Sequence, residues 1–434
     1  WLSWMKNKGA DTLQVFDNMA CTVCGCVCDD LQITVHDNRV TSAQGACKLA
    51  EPFFLEQGNC KPPIAQIQGK NVGYREAIDH AAGLLESADA PLVYGLSRSS
   101  TDGQRAAIAL AEKLGATIDT TASLCHASSI SALQEFGEVT CTLGEVKNRS
   151  DLVIYWGINP ARTHPRHMER YAVFPSGRLV PRGRADRTVV VVDVKSTASS
   201  EMADMLIPVK PGRDFEVLMI LHSIVCGIPV SDEHLQEMPM AQLFQLARIM
   251  KSCRYGVVFF GLGLSMTDGG QHNVEALLRL VREMNRFTRF CARPMRILGD
   301  VTGADKVLAW QTGYPFSVNF SRGYPRYNPG EFSAQQLLER GDVDACLFVG
   351  SEGTERFSQK ALSRLGQIPV VTLDYPHVTN HFSPQVRFSS AVHGIHRAGT
   401  AYRMDGVPLP LRQVLDSEYP SDEETLDLIR FQVP

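Results

Sequence analysis

The sequence predicts an α/β protein, a small N-terminal cysteine-rich module followed by two doubly wound α/β domains. Three observations predict it. Five of the twelve cysteines fall between Cys21 and Cys47. From Tyr74 onward, short β-branched apolar runs alternate with stretches of helical spacing. The 434 residues are too many for one simple core.

Taken in order, Leu31 to Val40 alternates apolar and polar residues around a turn at Asp37–Asn38, which predicts a hairpin after the cysteine loop. Pro62 and Pro63 then break the chain. Ala77 to Ser87 and Gln104 to Leu114 have helical spacing, and the runs Pro91 to Leu96 and Thr117 to Thr120 read as strands. Leu152 to Trp156, Thr188 to Val192, Val257 to Phe260, Ala345 to Val349 and Val370 to Leu373 are compact apolar runs of the kind that fill buried parallel strands. The acidic tail after Pro420 reads as a solvated terminal helix.

Composition excludes several function classes. A net charge of -4 carries no nucleic-acid footprint, and no apolar run approaches a bilayer span. Trp1 to Lys8 lacks the apolar core of a signal peptide, so the expected compartment is the cytoplasm. In a reducing compartment, clustered cysteines read as metal ligands rather than disulfides. Cys60, Cys141, Cys226, Cys253, Cys291 and Cys346 are scattered in apolar or mixed contexts and are expected in the core.

Cys21, Cys24 and Cys28 follow the spacing C-x2-C-x3-C, and Cys47 follows after 18 intervening residues. Three thiolates from one tight loop and a fourth brought back by a hairpin suit a [4Fe–4S] cluster. Structural zinc is the rival, but zinc sites more often pair two C-x2-C knuckles. Cys26 is a spare, either a fifth, non-ligating thiol or a replacement for Cys24 or Cys28 as ligand. Lys48 would place a cation between this cluster and a second cofactor, unless it is simply a surface lysine.

A cysteine module followed by two α/β domains resembles the molybdopterin oxidoreductases of the formate dehydrogenase type. Within them the chain resembles the B subunits of tungsten or molybdenum formylmethanofuran dehydrogenases. The carrying strings are Cys-Gly-x-x-Cys-Asp-Asp at 24–30, Thr-Ala-Ser-Leu-Cys-His at 121–126 and Gly-Glu-Val-Lys-Asn-Arg at 144–149. Tyr-Trp-Gly-x-Asn-Pro at 155–160, His-Pro-Arg-His-Met at 164–168, Pro-Arg-Tyr-Asn-Pro-Gly-Glu at 325–331 and Gly-Thr-Ala-Tyr-Arg-Met-Asp-Gly-Val-Pro at 399–408 complete the set.

The resemblance implies a division into a [4Fe–4S] module at 1–65, a discontinuous α/β domain at 66–140 and 298–434, and a Rossmann-like dinucleotide-binding domain at 141–297. It makes Cys125 the ligand of a Mo or W centre carried by two molybdopterin guanine dinucleotides. It makes His126 the candidate for handling the proton of the formyl or formate carbon. Arg296 lies where the superfamily places an arginine facing the metal, a guanidinium suited to a carboxylate. The alternative is a surface salt bridge.

Gly157 and Asn159 end one predicted strand, Gly261 and Gly263 follow another, and Asp193 ends a third. These are positions where open α/β sheets bind ligands. The full G-x-G-x-x-G fingerprint is absent, so NAD is not predicted. His164, Arg166 and His167 read as polar contacts near the dinucleotide, as helix-start residues, or as a solvated face.

One departure stands out: the archaeal pattern reads Met-Arg-Gly-His-Tyr-Asn before Val-Thr-Gly, whereas here Met295 to Asp300 reads Met-Arg-Ile-Leu-Gly-Asp. Two functions follow as expectations. The first is a redox subunit interconverting CO2 and formate or formyl units, with amidohydrolase-like and electron-transfer subunits as partners. The second is a silent scaffold of a bacterial formyltransferase/hydrolase complex. Formate dehydrogenase-type enzymes usually add a C-terminal β-barrel, and only 26 residues follow Pro408. A separate barrel-domain subunit is therefore expected over the loops near Gly157, Asp193 and Gly399.

Overall fold

The computed structural model describes residues 13–230, 238–267 and 269–434. The signal-peptide reading of Trp1 to Lys8 falls outside them. The N-terminal module is a three-stranded antiparallel sheet, Gln14–Met19, Leu31–His36 and Arg39–Gln44. Leu31, Ile33 and Val35 point inward and are buried, as alternation requires. Asp37 and Asn38 both take positive φ, the geometry of a tight hairpin turn whose twist matches its strands.

Leu152–Trp156, Thr188–Asp193, Met205–Pro208, Tyr255–Phe260 and Arg289–Pro294 form one parallel sheet. Numbered by sequence, its spatial order is 3-2-1-4-5. The order therefore reverses beside Leu152–Trp156, and a crevice opens at the carboxyl ends there. Leu152–Trp156 and Tyr255–Phe260 are buried at every residue, because helices cover both faces.

A second, nine-stranded sheet has a parallel centre: Thr117–Thr120, Pro91–Gly95, Ala345–Val349, Val370–Asp374 and Val386–Ser389. Its order, 2-1-3-4-5, makes a second reversal between Pro91–Gly95 and Ala345–Val349. Antiparallel pairs close both edges, Val318–Asn319 with Arg326–Tyr327 on one side and Ala65–Ile67 with Lys70–Asn71 on the other. The chain thus enters this sheet, leaves it to build the five-stranded one, and returns. Helix Ala127–Phe136, although it follows a strand of the larger sheet, packs on helix Gly270–Met284.

Two expectations are corrected. Helix Asp422–Gln432 is not merely solvated, because it packs on Thr101–Leu114 and Tyr74–Glu86. Its Leu426 and Ile429 are fully buried, each contributing about 1.5–3 kcal/mol. The acidic residues Glu423 and Glu424 mark only its outer face and first turn. Cys60 is exposed rather than in the core, while Cys226 and Cys253 are half-buried. No helix among the described residues is long and apolar enough to cross a membrane.

Candidate functional site

Cys21, Cys24, Cys26, Cys28 and Cys47 line one small pocket, with Pro165 and Arg166 at its wall. Backbone bonds tighten the loop, Cys21 N–H to Cys28 O at 2.8 Å and Val27 N–H to Cys24 O at 3.1 Å. Burial pushes the Cys21 thiol up, as do Cys24, Cys28 and Cys47 close by. Burial raises Cys28 to about 11, opposed by Arg170 and Arg166. Cys26 contacts Cys24 in the same pocket.

The arginines are fixed from outside by the two aspartates of the 24–30 string. Arg166 holds Asp30 with both terminal nitrogens, at 2.7 and 2.8 Å, and Arg170 reaches Asp29 at 2.9 Å and Asp30 at 3.0 Å. Arg98 donates to Thr22 O at 2.8 Å and pairs with Glu352. Sequence reasoning missed Arg98 and Arg170 as cations of this pocket. Lys48, which it singled out, is exposed.

The cysteine loop abuts the arginine loop through glycines. A Cβ on Gly25 would stand 2.4 Å from Arg296 O, and one on Gly299 would stand 2.4 Å from Thr22 O. Met404 N–H donates to Gly25 O at 2.8 Å. Gly299 and Asp300, both within the divergent Met295–Asp300 string, thus have structural work. Asp300 caps helix Val301–Thr312 and accepts from Tyr402 N–H at 2.6 Å.

Cys125 follows strand Thr117–Thr120 across one short turn, its Sγ 3.3 Å from Thr121 O. Ser265 Oγ donates to Cys125 O at 3.2 Å, which brings the loop after Tyr255–Phe260 onto it. Burial raises the Cys125 thiol to about 11, and Arg296 opposes this. Arg296 is buried rather than at the surface, ion-paired with Asp305, which also accepts from Thr120 Oγ1 at 2.8 Å.

His126 is fully buried, and both ring nitrogens are engaged. Nε2 donates to Met295 O at 3.3 Å, and Nδ1 faces Ser129 Oγ at 3.1 Å. Burial, helped by Arg296, lowers it to about 3, so it is neutral at ordinary pH.

His164 and His167 are buried too, which excludes a solvated face. His164 Nε2 donates to Arg296 O at 2.7 Å, and His167 Nδ1 meets Tyr155 OH at 3.2 Å. Beside Arg296 lies a cavity of about 340 Å³ lined by Glu138, Arg293, Thr302 and Asp305 among others. Glu138 Oε1, Arg293 Nε and Thr302 Oγ1 are buried without partners. Burial raises the Glu138 carboxyl.

At the first crevice Gly157 takes φ +57, and Gly263 N–H donates to Gly157 O at 3.0 Å. A Cβ on Gly157, Gly261 or Gly263 would meet atoms of these two loops at 2.9 Å or less. The three glycines therefore let the loops pass in contact. Asn159 accepts from Ser199 Oγ at 2.6 Å. Asp193 sits at its strand's carboxyl end, accepting from Val194 N–H at 2.7 Å.

The model of the molybdopterin oxidoreductase family matches residues 92–361, the stretch holding both crevices, Cys125 and Arg296. The chain belongs to that family. Across 93% of its length it is also 40% identical to the B subunit of a tungsten-containing formylmethanofuran dehydrogenase 2 from Methanocaldococcus jannaschii, covering 94% of that relative. That places it among the formylmethanofuran dehydrogenase B subunits, which are oxidoreductase subunits.

Two solved structures share the fold. One is the formyltransferase/hydrolase complex of Methylorubrum extorquens, in complex with methylofuran. It has a TM-score of 0.71 and 22% identity, over 85% of this chain and 98% of the other. The other is acetylene hydratase from Pelobacter acetylenicus, with a TM-score of 0.68 and 13% identity. It aligns with 96% of this chain, which matches 69% of the hydratase.

Membership of a molybdopterin oxidoreductase family implies a pterin–metal cofactor. The residues present fit one: a soft thiol at a sheet's carboxyl end, a buried guanidinium beside it, and buried polar atoms without partners around the adjoining cavity.

Proposed function

We propose that this chain is the redox subunit of a formylmethanofuran dehydrogenase-like complex, interconverting CO2 and formate or formyl units. The observation that carries the reading is the convergence of Cys125 and Arg296, from loops 171 positions apart, beside the glycine-rich crevice. Cys125 would hold a W or Mo centre in a bis(molybdopterin guanine dinucleotide), and Gly157, Asn159, Asp193, Gly261 and Gly263 would receive the dinucleotides. When bound, that group supplies two-electron redox chemistry at a one-carbon substrate.

The chain's own residues bind and orient. Arg296, kept cationic by Asp305, attracts a carboxylate such as formate at Cys125. His126 is neutral with its Nε2 proton committed to Met295 O, so it holds the Met295–Arg296 backbone in place. A proton role for it would fall to Nδ1, which would have to give up Ser129 Oγ. Cys21, Cys24, Cys28 and Cys47 would hold a [4Fe–4S] cluster, with Cys26 beside Cys24. Gly25, touching both the cysteine loop and Arg296, makes the short path between the two centres.

The proposed partners are a barrel-domain subunit over the crevice near Gly157, Asp193 and Gly399, an amidohydrolase-like subunit and an electron-transfer subunit. That the relatives are themselves subunits of complexes supports an assembly. The Cys125→Ala complex should lose formate and formyl oxidation entirely while its iron content and cluster spectrum stay unchanged. Undiminished oxidation in that variant would sink the reading.

The altered 297–300 loop and the fold shared with the formyltransferase/hydrolase complex favour a second reading, a scaffold without redox chemistry. Elemental analysis of the purified complex separates them. A scaffold carries neither W nor Mo.

A further inference from the structure

We infer that His222, Cys226 and Glu283 form a zinc site on the five-stranded domain, away from Cys125 and from the cysteine pocket. His222 and Cys226 stand four residues apart on helix Asp214–Cys226, so they share one face. Glu283 comes from helix Gly270–Met284, which packs against it. One ligand atom of each lies within 4.8 Å of the other two.

Cys226 Sγ is 3.8 Å from the His222 ring nitrogens. Zn–S of about 2.3 Å and Zn–N of about 2.0–2.1 Å, set at a tetrahedral angle, put the two atoms roughly 3.6 Å apart. His222 and Cys226 thus stand near coordination spacing already, and Glu283 offers an oxygen within 4.8 Å of both. All three are half-buried, so an ion can enter and a water can complete the fourth position.

The helices supply an independent reason for a cation. Cys226 is the last residue of one helix, and Glu283 is next to last in the other. Two carboxyl-terminal ends, with their partial negative charge, therefore converge on the same point. Arg286 donates to Glu283 Oε1 at 2.6 Å. It opposes a dication by charge, but it engages one carboxylate oxygen and leaves the other as the donor, as outer partners of metal ligands do.

A thiolate, an imidazole and a carboxylate together select a borderline-soft divalent ion, Zn2+, over Mg2+ or Ca2+. Binding releases the thiol proton to solvent, and no electron moves. Because its ligands come from two packed helices, the ion's effect is to clamp them together.

The test uses the complete complex with its cluster in place, equilibrated with ZnCl2 and then freed of excess metal. Zinc and iron per chain are measured for the wild type and for His222→Ala/Cys226→Ala, with zinc K-edge absorption on both. The expected result is one zinc fewer in the variant, iron unchanged, and loss of a zinc–sulfur shell near 2.3 Å. Added zinc should raise the melting temperature of the wild type and not of the variant. Equal zinc and equal spectra in the two proteins overturn the site. Should the double variant fold poorly, Glu283→Gln should weaken zinc retention on the order of tenfold or more. Unchanged retention there overturns it equally.

Discussion

Around the N-terminal pocket, five thiols come from the short stretch between Cys21 and Cys47, and the guanidinium groups stand outside in a ring of ion pairs. At Cys125 a single thiol meets a guanidinium from a loop 171 positions away, itself ion-paired with Asp305 on the following helix. Burial raises the thiols in both places. The first region concentrates ligands and pairs its charges at the rim. The second spends a buried ion pair on one oriented cation. On the proposed reading the contrast has a reason: a cluster needs several equivalent thiolate ligands, whereas a bound carboxylate needs one charge held in one direction.

The largest expected effect breaks the second region alone. Asp305→Ala leaves Arg296 buried without its carboxylate and should cost about 3–5 kcal/mol of stability. Urea unfolding measures it, and the iron content of the folded fraction should hold. A loss below the cost of an exposed pair would show that Arg296 has another partner.

The seam between the regions comes next. Gly25→Ala puts a methyl 2.4 Å from Arg296 O and should cost about 1–3 kcal/mol as the two loops separate. Because that contact joins the regions, electron transfer from the proposed cluster should slow more than substrate binding weakens. Rapid-mixing reduction of the cluster compared with KM for formate reads the difference.

The smallest effect concerns the far support of the cysteine pocket. Asp422 anchors Ser99 and pairs with His393 at 2.7 Å, steadying the loop that carries Arg98. Burial alone would lower His393, but Asp422 outweighs it and holds the imidazolium above its ordinary 6.5. The pair's contribution is therefore fully present below 6.5 and is lost as pH rises through the raised value. Burial would raise Asp422, yet His393 and Ser99 keep it below 3.8. On the acid side the contribution persists until pH falls through that lowered value. Stability from urea midpoints should thus drift downward above neutrality, and His393→Gln should flatten the drift. An unchanged profile in the variant would remove the pair from the account.

Apolar runs and the cysteine spacing were legible in the chain alone. Strand burial follows from composition, and residues close in sequence can be seen to share a loop. So the strands Leu152–Trp156 and Ala345–Val349, the hairpin at Asp37–Asn38 and the five-thiol pocket could all be read directly. For His164 and His167 a solvated face stayed open beside a polar contact or a helix start, because a histidine's burial depends on what packs above it. Arg170, Asp305 and Glu138 gave no local signal, since each acquires its role from a partner distant in sequence or from the wall of a cavity.

The same holds for the terminal helix, whose acidic residues describe its outer face while Leu426 and Ile429 bury the inner one. The sequence by itself determined the period of each element and the thiols of the first pocket, and it marked Gly157, Gly261 and Gly263 only as strand-end ligand positions. That they let two loops pass in contact was decided by the tertiary structure. Only the tertiary structure decided that Arg296 is an internal cation beside Cys125 and that Gly25 is the seam. Charge pairing and steric contact depend on distance in space, and this chain leaves one sheet to build another before returning to complete the first.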